Sequence, residues 1–504
     1  MQDTIIHSNG LYADRRYLKS QRFKRRLILN KINHPLILFI IILFSLTAGT
    51  SIAFFGLKAA VLIILAIIAG PAFYVSIAYP KVGIIISIVV SYFLLFAEKF
   101  TDFPVGTIMD GLLTLLIFGL FLKQKGRQDW KVFKNPISII ILIWIGYNFM
   151  EVLNPSAESR LAWVYTIRTV AVVLLMYFIF LYHIRSIKFI RLLFKIWIAL
   201  SLVAALYGLN QQLFGFFPFE QRWLDANPSA RSLYYIGGIW RKFSIFSDPV
   251  TFSYNMVITA ILCICIMTGP VKALKKIALF LIALICIFSM LFSGTRGAYV
   301  LVPISLGIFL ILKFNKKILL LGLVAGSIMA VIVFVPTSNQ SIQRFQSAFS
   351  PEYDASFNVR TTNQKMIQPY IIAHPIGGGL GATGTWGQRF SPDSFLANFP
   401  PDSGYVRVAV EIGWVGLLIF CILIFVILKV GIGNYYKIKN KELKSYSLAM
   451  VIIVFALHIG NYPQEALVQY PTNILFSLVL AVINITLTLD KNLSAQPAVS
   501  NDIN

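Results

Sequence analysis

Apolar runs of about 20 residues recur from Pro35 to Leu489, and that recurrence limits what this chain can fold into more than any other feature. A bilayer core roughly 30 Å thick is crossed by about 20 helical residues, so runs of this length read as membrane spans. An all-helical membrane domain follows. Composition supports it at one point: 13% of the 504 residues are charged, against roughly 25% in soluble domains. The reading gives about fourteen spans, near residues 35–55, 58–78, 81–97, 104–122, 136–153, 163–182, 190–212, 249–268, 274–292, 297–313, 317–335, 404–429, 445–462 and 472–489.

The formal net charge of +24 does not indicate nucleic acid, because no soluble domain exists to gather the Lys and Arg on one face. Their distribution follows the positive-inside rule instead. Lys123 to Lys134, Arg185 and Lys188, Lys272 to Lys276, Lys313 to Lys317, and Lys437 to Lys444 all fall in alternate connections, together with the basic residues of the first 34. That side reads as cytoplasm. No small-residue cleavage site follows a short apolar core, so residues 1–34 read as a cytoplasmic tail. Helices then occupy 35–335, a large periplasmic loop 336–403, three further helices 404–489, and a second cytoplasmic tail 490–504. A connection above about 12 to 15 residues is usually functional when ordered, which directs attention to residues 213–247 and above all to 336–403. No internal repeat of the kind that builds many transporters is apparent.

Ionisable residues within spans are costly, roughly 2.5 to 3.5 kcal/mol each, so their positions point to a site. Asp110, Arg168, Asp248, Arg296, Arg407 and Glu411 all lie toward the outer ends of their helices. Snorkelling would decorate both faces, whereas a cavity open to the outside predicts this one-sided set. Cys263, Cys265, Cys286 and Cys421 sit inside apolar runs, where thiols behave as small hydrophobes, and neither a disulfide framework nor a metal site is expected. No metal-ligand cluster and no nucleotide loop is apparent: the glycine run Gly377 to Gly381 lacks the Gly-Lys-Ser/Thr ending of a phosphate-binding loop.

Four stretches on the expected outer side together resemble the O-antigen ligase and O-antigen polymerase family of bacterial surface-polysaccharide assembly. They are Trp240-Arg241 through Asp248-Pro249; Ser293-Gly294-Thr295-Arg296-Gly297; Asn358-Val359-Arg360 followed by His374-Pro375-Ile376-Gly377-Gly378-Gly379; and Asp402-Ser403-Gly404-Tyr405 leading to Glu411-Ile412-Gly413-Trp414-Val415-Gly416. The resemblance covers about residues 235–430. It implies a GT-C-like glycosyltransferase of the bacterial inner membrane, with its active site facing the periplasm. The implied donor is a glycan on undecaprenyl pyrophosphate, used without cofactor or metal. A chain-length regulator and a flippase are implied partners beside membrane lipids.

The residue chemistry agrees with a pyrophosphate leaving group, since guanidinium is permanently charged and matches phosphate oxygens in pairs. Arg241, Arg296 and Arg360 are the expected pyrophosphate ligands, with Arg296 also stabilising charge during transfer. The alternatives are an Arg241 paired with Asp248 and an Arg296 meeting lipid headgroups from a turn. Where the ligase branch carries a His, this chain has Asp402, which reads either as the base for the acceptor hydroxyl or as a helix N-cap. His374 and His458 are alternative bases, although a histidine so placed more often serves as a structural hydrogen-bonder. His374, Glu411, Arg407 and Asp248 complete the candidate set. The glycine run reads as a tight turn or as an anion-binding nest. Polymerase is the leading expectation, ligase to a lipid A core or protein the alternative, and a lipid-linked sugar flippase or exporter the reading from another class.

Overall fold

The computed structural model describes residues 35–55, 71, 74–100, 105–127, 130–236, 238–338, 340–349 and 355–495. The chain separates into two compact units, residues 1–74 and 75–504. In the first, α1 (Pro35–Phe55) is an apolar helix that matches the expected first span. Of the expected span at 58–78 the structure describes residues 71 and 74–78, and the tail 1–34 and residues 496–504 lie outside the described residues.

The second unit is a helical bundle. Its principal helices are α2 (Pro80–Ala97), α3 (Gly106–Arg127), α4 (Pro136–Met150), α5 (Arg160–Val170), α6 (Leu175–His183), α7 (Ile187–Leu213), α8 (Pro218–Ala226), α9 (Pro228–Tyr234), α10 (Pro249–Met267), α11 (Ala273–Leu291), α12 (Arg296–Leu312), α13 (Lys316–Phe334), α14 (Gln340–Ser347), α15 (Ala355–Ala373), α16 (Gly384–Phe390), α17 (Gly404–Lys437), α18 (Lys441–Gly460) and α19 (Thr472–Ala495). A two-residue hairpin of β1 (Tyr235–Ile236) and β2 (Ile239–Trp240) interrupts them. Among the described residues nine helices are long and apolar enough to cross a membrane, and shorter apolar helices accompany them. This is an all-α, multi-pass membrane protein.

Starts are set by short polar side chains. Asn135, Ser159, Ser186, Asp248 and Asn440 each accept a backbone N–H from the first turn of α4, α5, α7, α10 and α18, which satisfies donors the helix itself leaves open. Helices α10, α18 and α19 form the centre, with α11, α12, α17 and α6 packed around them. Buried hydroxyls are paired rather than stranded: Tyr92 meets Ser201 at 2.7 Å, Thr259 donates to Ser201 at 2.8 Å, and Trp197 donates to Thr259 at 3.0 Å.

Two expected spans are broken. The run 163–182 divides into α5 and α6 at Ala171, with a 3₁₀ turn over Val172–Leu174. Thr169, Val170, Val172 and Val173 are β-branched and hold a helix weakly, and Trp144 Nε1 donates to the freed Val170 carbonyl at 3.2 Å. The run 404–429 continues to Lys437 but is non-helical at Ile412 and at Gly413, where φ is +72°. A Cβ there would collide with the Pro375 carbonyl oxygen, so only glycine fits. The loop after α15 and a side chain of α4 replace the missing helical bonds: from the loop Gly378 N donates to the Val410 carbonyl at 2.9 Å and Gly379 N to that of Glu411 at 2.8 Å, and from α4 Tyr147 Oη donates to that of Ile412 at 2.9 Å. Irregular backbone at this depth is tolerated because protein covers it.

Connections expected on one side meet one another. At the Lys-rich end Arg191 pairs with Glu442 at 2.5 Å, and Asp490 accepts from the backbone of Lys439 and Asn440 at 3.0 and 2.8 Å. At the opposite end Lys242 N donates to Phe292 O at 2.9 Å and Asn154 Nδ2 to Ile376 O at 2.8 Å.

Candidate functional site

The connection between α11 and α12 is the pivot of that opposite end. Ser293, Gly294 and Thr295 expose carbonyls and a hydroxyl that two arginines grasp from separate elements. Arg241, just after β2, donates from Nε to Ser293 O at 2.9 Å, from Nη1 to Leu233 O at 3.1 Å and from Nη2 to Thr295 Oγ1 at 3.0 Å. Arg344, on α14, donates from Nε to Gly294 O at 3.2 Å and from Nη1 to Ile236 O at 3.3 Å. Gly294 has φ +61°, and a Cβ on it would come within 3.1 to 3.2 Å of both guanidinium side chains. Glycine at this turn therefore lets the two cations close over it.

Arg241, Arg296, Arg344 and Arg360 line a single pocket of about 520 Å³, with no carboxylate in its wall among the described residues. Three of the four are the arginines expected from sequence. Arg344 was missed: it lies within Ser341-Ile342-Gln343-Arg344-Phe345, which carries no motif, and only its place in the outer loop could have drawn attention to it. Burial, and next the Arg344 charge, pull the Arg241 guanidinium down from its ordinary value to about 10. Arg241 is not paired with Asp248. That carboxylate instead caps α10, accepting from Val250 N and Thr251 N at 2.8 Å each and from the Thr251 hydroxyl at 2.7 Å.

The basic pocket continues into a larger one. Arg296, Gly297, Arg360 and Pro463 line both, and the second, with roughly 1480 Å³ of open space, is walled mainly by apolar side chains such as Val300, Leu301, Ile424, Leu428 and Phe455. Arg360 Nε is buried there without a hydrogen-bond partner among the described residues. Cationic and apolar surfaces thus share one cleft.

The remaining candidates lie elsewhere. Arg407 pairs with Glu411 at 3.0 Å and with Glu465 at 2.5 Å, beside an apolar pocket of about 750 Å³ bordered by both helix breaks. Glu411 also accepts from Gly381 N at 3.0 Å, Thr383 N at 3.3 Å and the Thr383 hydroxyl. Within the glycine run Gly381 N alone reaches that carboxylate, while Gly377 N, Gly378 N and Gly379 N donate to the His374, Val410 and Glu411 carbonyls, so the run is a tight turn packed on α17. Asp402 is half-buried and lines neither arginine-bordered pocket, and the N-cap of α17 is Ser403, whose side chain makes no capping bond. Asp402 is therefore not the cap. His374 sets Nδ1 against Tyr370 O at 2.9 Å and stacks on that ring at 4.0 Å, also away from the arginines. Arg168 pairs with Asp110 at 2.5 Å.

Residues 281–421 match the family model described as O-Antigen ligase. A protein of Salmonella muenchen named O-antigen polymerase is 25% identical over 191 residues, which is 36% of this chain and 45% of that protein. The matched stretch thus spans less than half of that relative's length. Arg296, Arg360, His374, Asp402, Arg407 and Glu411 fall inside the family segment, while Arg241 and Asp248 precede it.

Proposed function

We propose, for a chain whose resemblance to the O-antigen ligase and polymerase family is borne out over residues 281–421, that it transfers a glycan from a polyprenyl pyrophosphate to a sugar hydroxyl. The observation that carries this reading is the arginine pocket opening into an apolar cavity through Arg296 and Arg360. A lipid pyrophosphate has the matching halves: two phosphates for the guanidiniums and a hydrocarbon chain for the apolar wall. During transfer the anomeric C–O bond breaks, its electron pair passes to the pyrophosphate, and the arginines offset the negative charge that grows there.

Undecaprenyl pyrophosphate is the proposed donor, the cytoplasmic membrane of a bacterium the proposed location, and the periplasm the compartment onto which the pocket opens. The relative's name favours polymerisation, in which a chain passes from one lipid pyrophosphate to the sugar on another. Asp402, standing where the ligase branch has a His, points away from ligation to a lipid A core or protein. A flippase and a chain-length regulator are the proposed partners. Because the donor is already activated, purified protein supplied with a lipid-pyrophosphate glycan should transfer it without ATP and in the presence of EDTA. Strict dependence on either ATP or a divalent cation would overturn the mechanism.

A further inference from the structure

An imidazole has two ring nitrogens, and burying both without partners is costly, so a histidine in that state marks a place where another group is expected. His183 and His374 each set Nδ1 2.9 Å from the carbonyl four residues earlier. His458 does not. It is 6% exposed, and neither Nδ1 nor Nε2 has a hydrogen-bond partner among the described residues. Its ring is held edge-on between Phe420 and Phe476, both at 5.9 Å.

The backbone around it is tightly held. Tyr405 Oη donates to the His458 carbonyl at 3.1 Å and Tyr254 Oη to the Gly460 carbonyl at 2.9 Å. The end of α18 is thereby fixed, and His458 is one of the residues that line the larger cavity together with Arg296 and Arg360. The titratable groups facing that cavity are Arg296 from α12, Arg360 from α15, Tyr405 from α17 and Tyr462 after α18, and none is a carboxylate. Beyond Phe420 the neighbouring pocket holds Arg407 with its two glutamates. A proton leaving an acceptor hydroxyl in this cavity thus meets one imidazole in the wall and no carboxylate.

We infer that His458 takes the proton from the acceptor hydroxyl. The inference rests on the transfer reading above. The acceptor oxygen bonds to the anomeric carbon as its proton passes to a ring nitrogen of His458, and the bond from that carbon to the pyrophosphate oxygen breaks with its electron pair leaving on the pyrophosphate. The imidazolium then returns its proton to water. His458 acts here in place of Asp402 and His374, neither of which borders the cavity.

The test uses the whole protein in detergent or vesicles with a polyprenyl-pyrophosphate glycan as donor and acceptor, comparing wild type, His458→Gln, His458→Ala and Arg296→Ala. Both His458 variants should lose about 10² to 10⁴-fold in kcat with the donor KM unchanged. Added imidazole should restore part of the rate to His458→Ala and leave wild type unaffected. A Gln variant at wild-type kcat, or a loss that imidazole does not rescue, overturns the assignment. Arg296→Ala separates the two levels: if it is inactive while His458→Gln is fully active, only the role of His458 falls, whereas an active Arg296→Ala removes the transfer reading itself.

Discussion

A guanidinium keeps its charge at any physiological pH, so four of them around one pocket repel one another until an anion sits between them. Arg241 is drawn down to about 10, first by burial and then by the Arg344 charge. Holding it charged therefore costs the folded state stability at neutral pH, a cost present below about 10 and relieved as pH rises past it or as an anion binds. Inorganic pyrophosphate should accordingly raise the Tm of the purified protein by several degrees at about 100 times its Kd, equivalent to about 2.7 kcal/mol, and Arg241→Ala should shrink that rise. An unchanged Tm across millimolar pyrophosphate would count against an anion site. Activity probes the same pocket: Arg296→Lys keeps the charge but loses the paired fork and should transfer well below wild type, while Arg296→Ala should lose about 10² to 10³-fold in rate with normal membrane level. Arg241, Arg296 and Arg360 were legible because each sits in a motif on the same expected side. Arg344 was not, because what makes it part of the site is the docking of α14 against a turn 50 residues earlier, a tertiary fact with no local signature.

At the scale of elements, hydropathy located the helices and missed where they break. A run such as 404–429 is apolar whether or not its backbone is continuous, and the break at Gly413 depends on Pro375 and Gly377 to Gly379 arriving from a distant loop. The same blindness hid the division of α5 from α6, where the only local hint is a cluster of β-branched residues. The glutamate of the Glu-x-Gly pattern is a candidate from sequence, and what no local pattern shows is that its carboxylate ties Gly381, Thr383 and Arg407 together. Gly413→Ala should thus cost about 1 to 3 kcal/mol or more, read as a lower Tm and reduced membrane level, because φ +72° and the Pro375 carbonyl both oppose a side chain. Gly433→Ala in the same helix, where an added Cβ would meet nothing within 4 Å, should be neutral or gain up to about 1 kcal/mol. Equal effects at the two glycines would mean that the break is not a constrained feature of the native helix.

For the whole molecule, the alternation of Lys and Arg between connections predicted two sets of loops, and within residues 75–504 each set gathers at its own end of the bundle. Arg191 with Glu442, and Asp490 with Lys439 and Asn440, join helix ends and connections of one set; Arg241 with Ser293, and Arg344 with Gly294, join those of the other. Charge bias made this legible because it acts on every connection independently of packing. Which end faces outward is the remaining premise of the proposed chemistry, since a polyprenyl-pyrophosphate glycan must reach the arginines from the leaflet where polymer is released. Gln388 is exposed at the arginine end and Lys437 is exposed at the other. In a Cys421→Ser background, with Cys263, Cys265 and Cys286 buried, Gln388→Cys should react with a membrane-impermeant maleimide once the outer membrane alone is opened. Lys437→Cys should react only after the cytoplasmic membrane is disrupted as well. The reverse pattern would turn the basic pocket toward the cytoplasm, and with it the acceptor hydroxyl, the leaving pyrophosphate and the proton that His458 receives would all stand on the wrong side for surface-polysaccharide assembly.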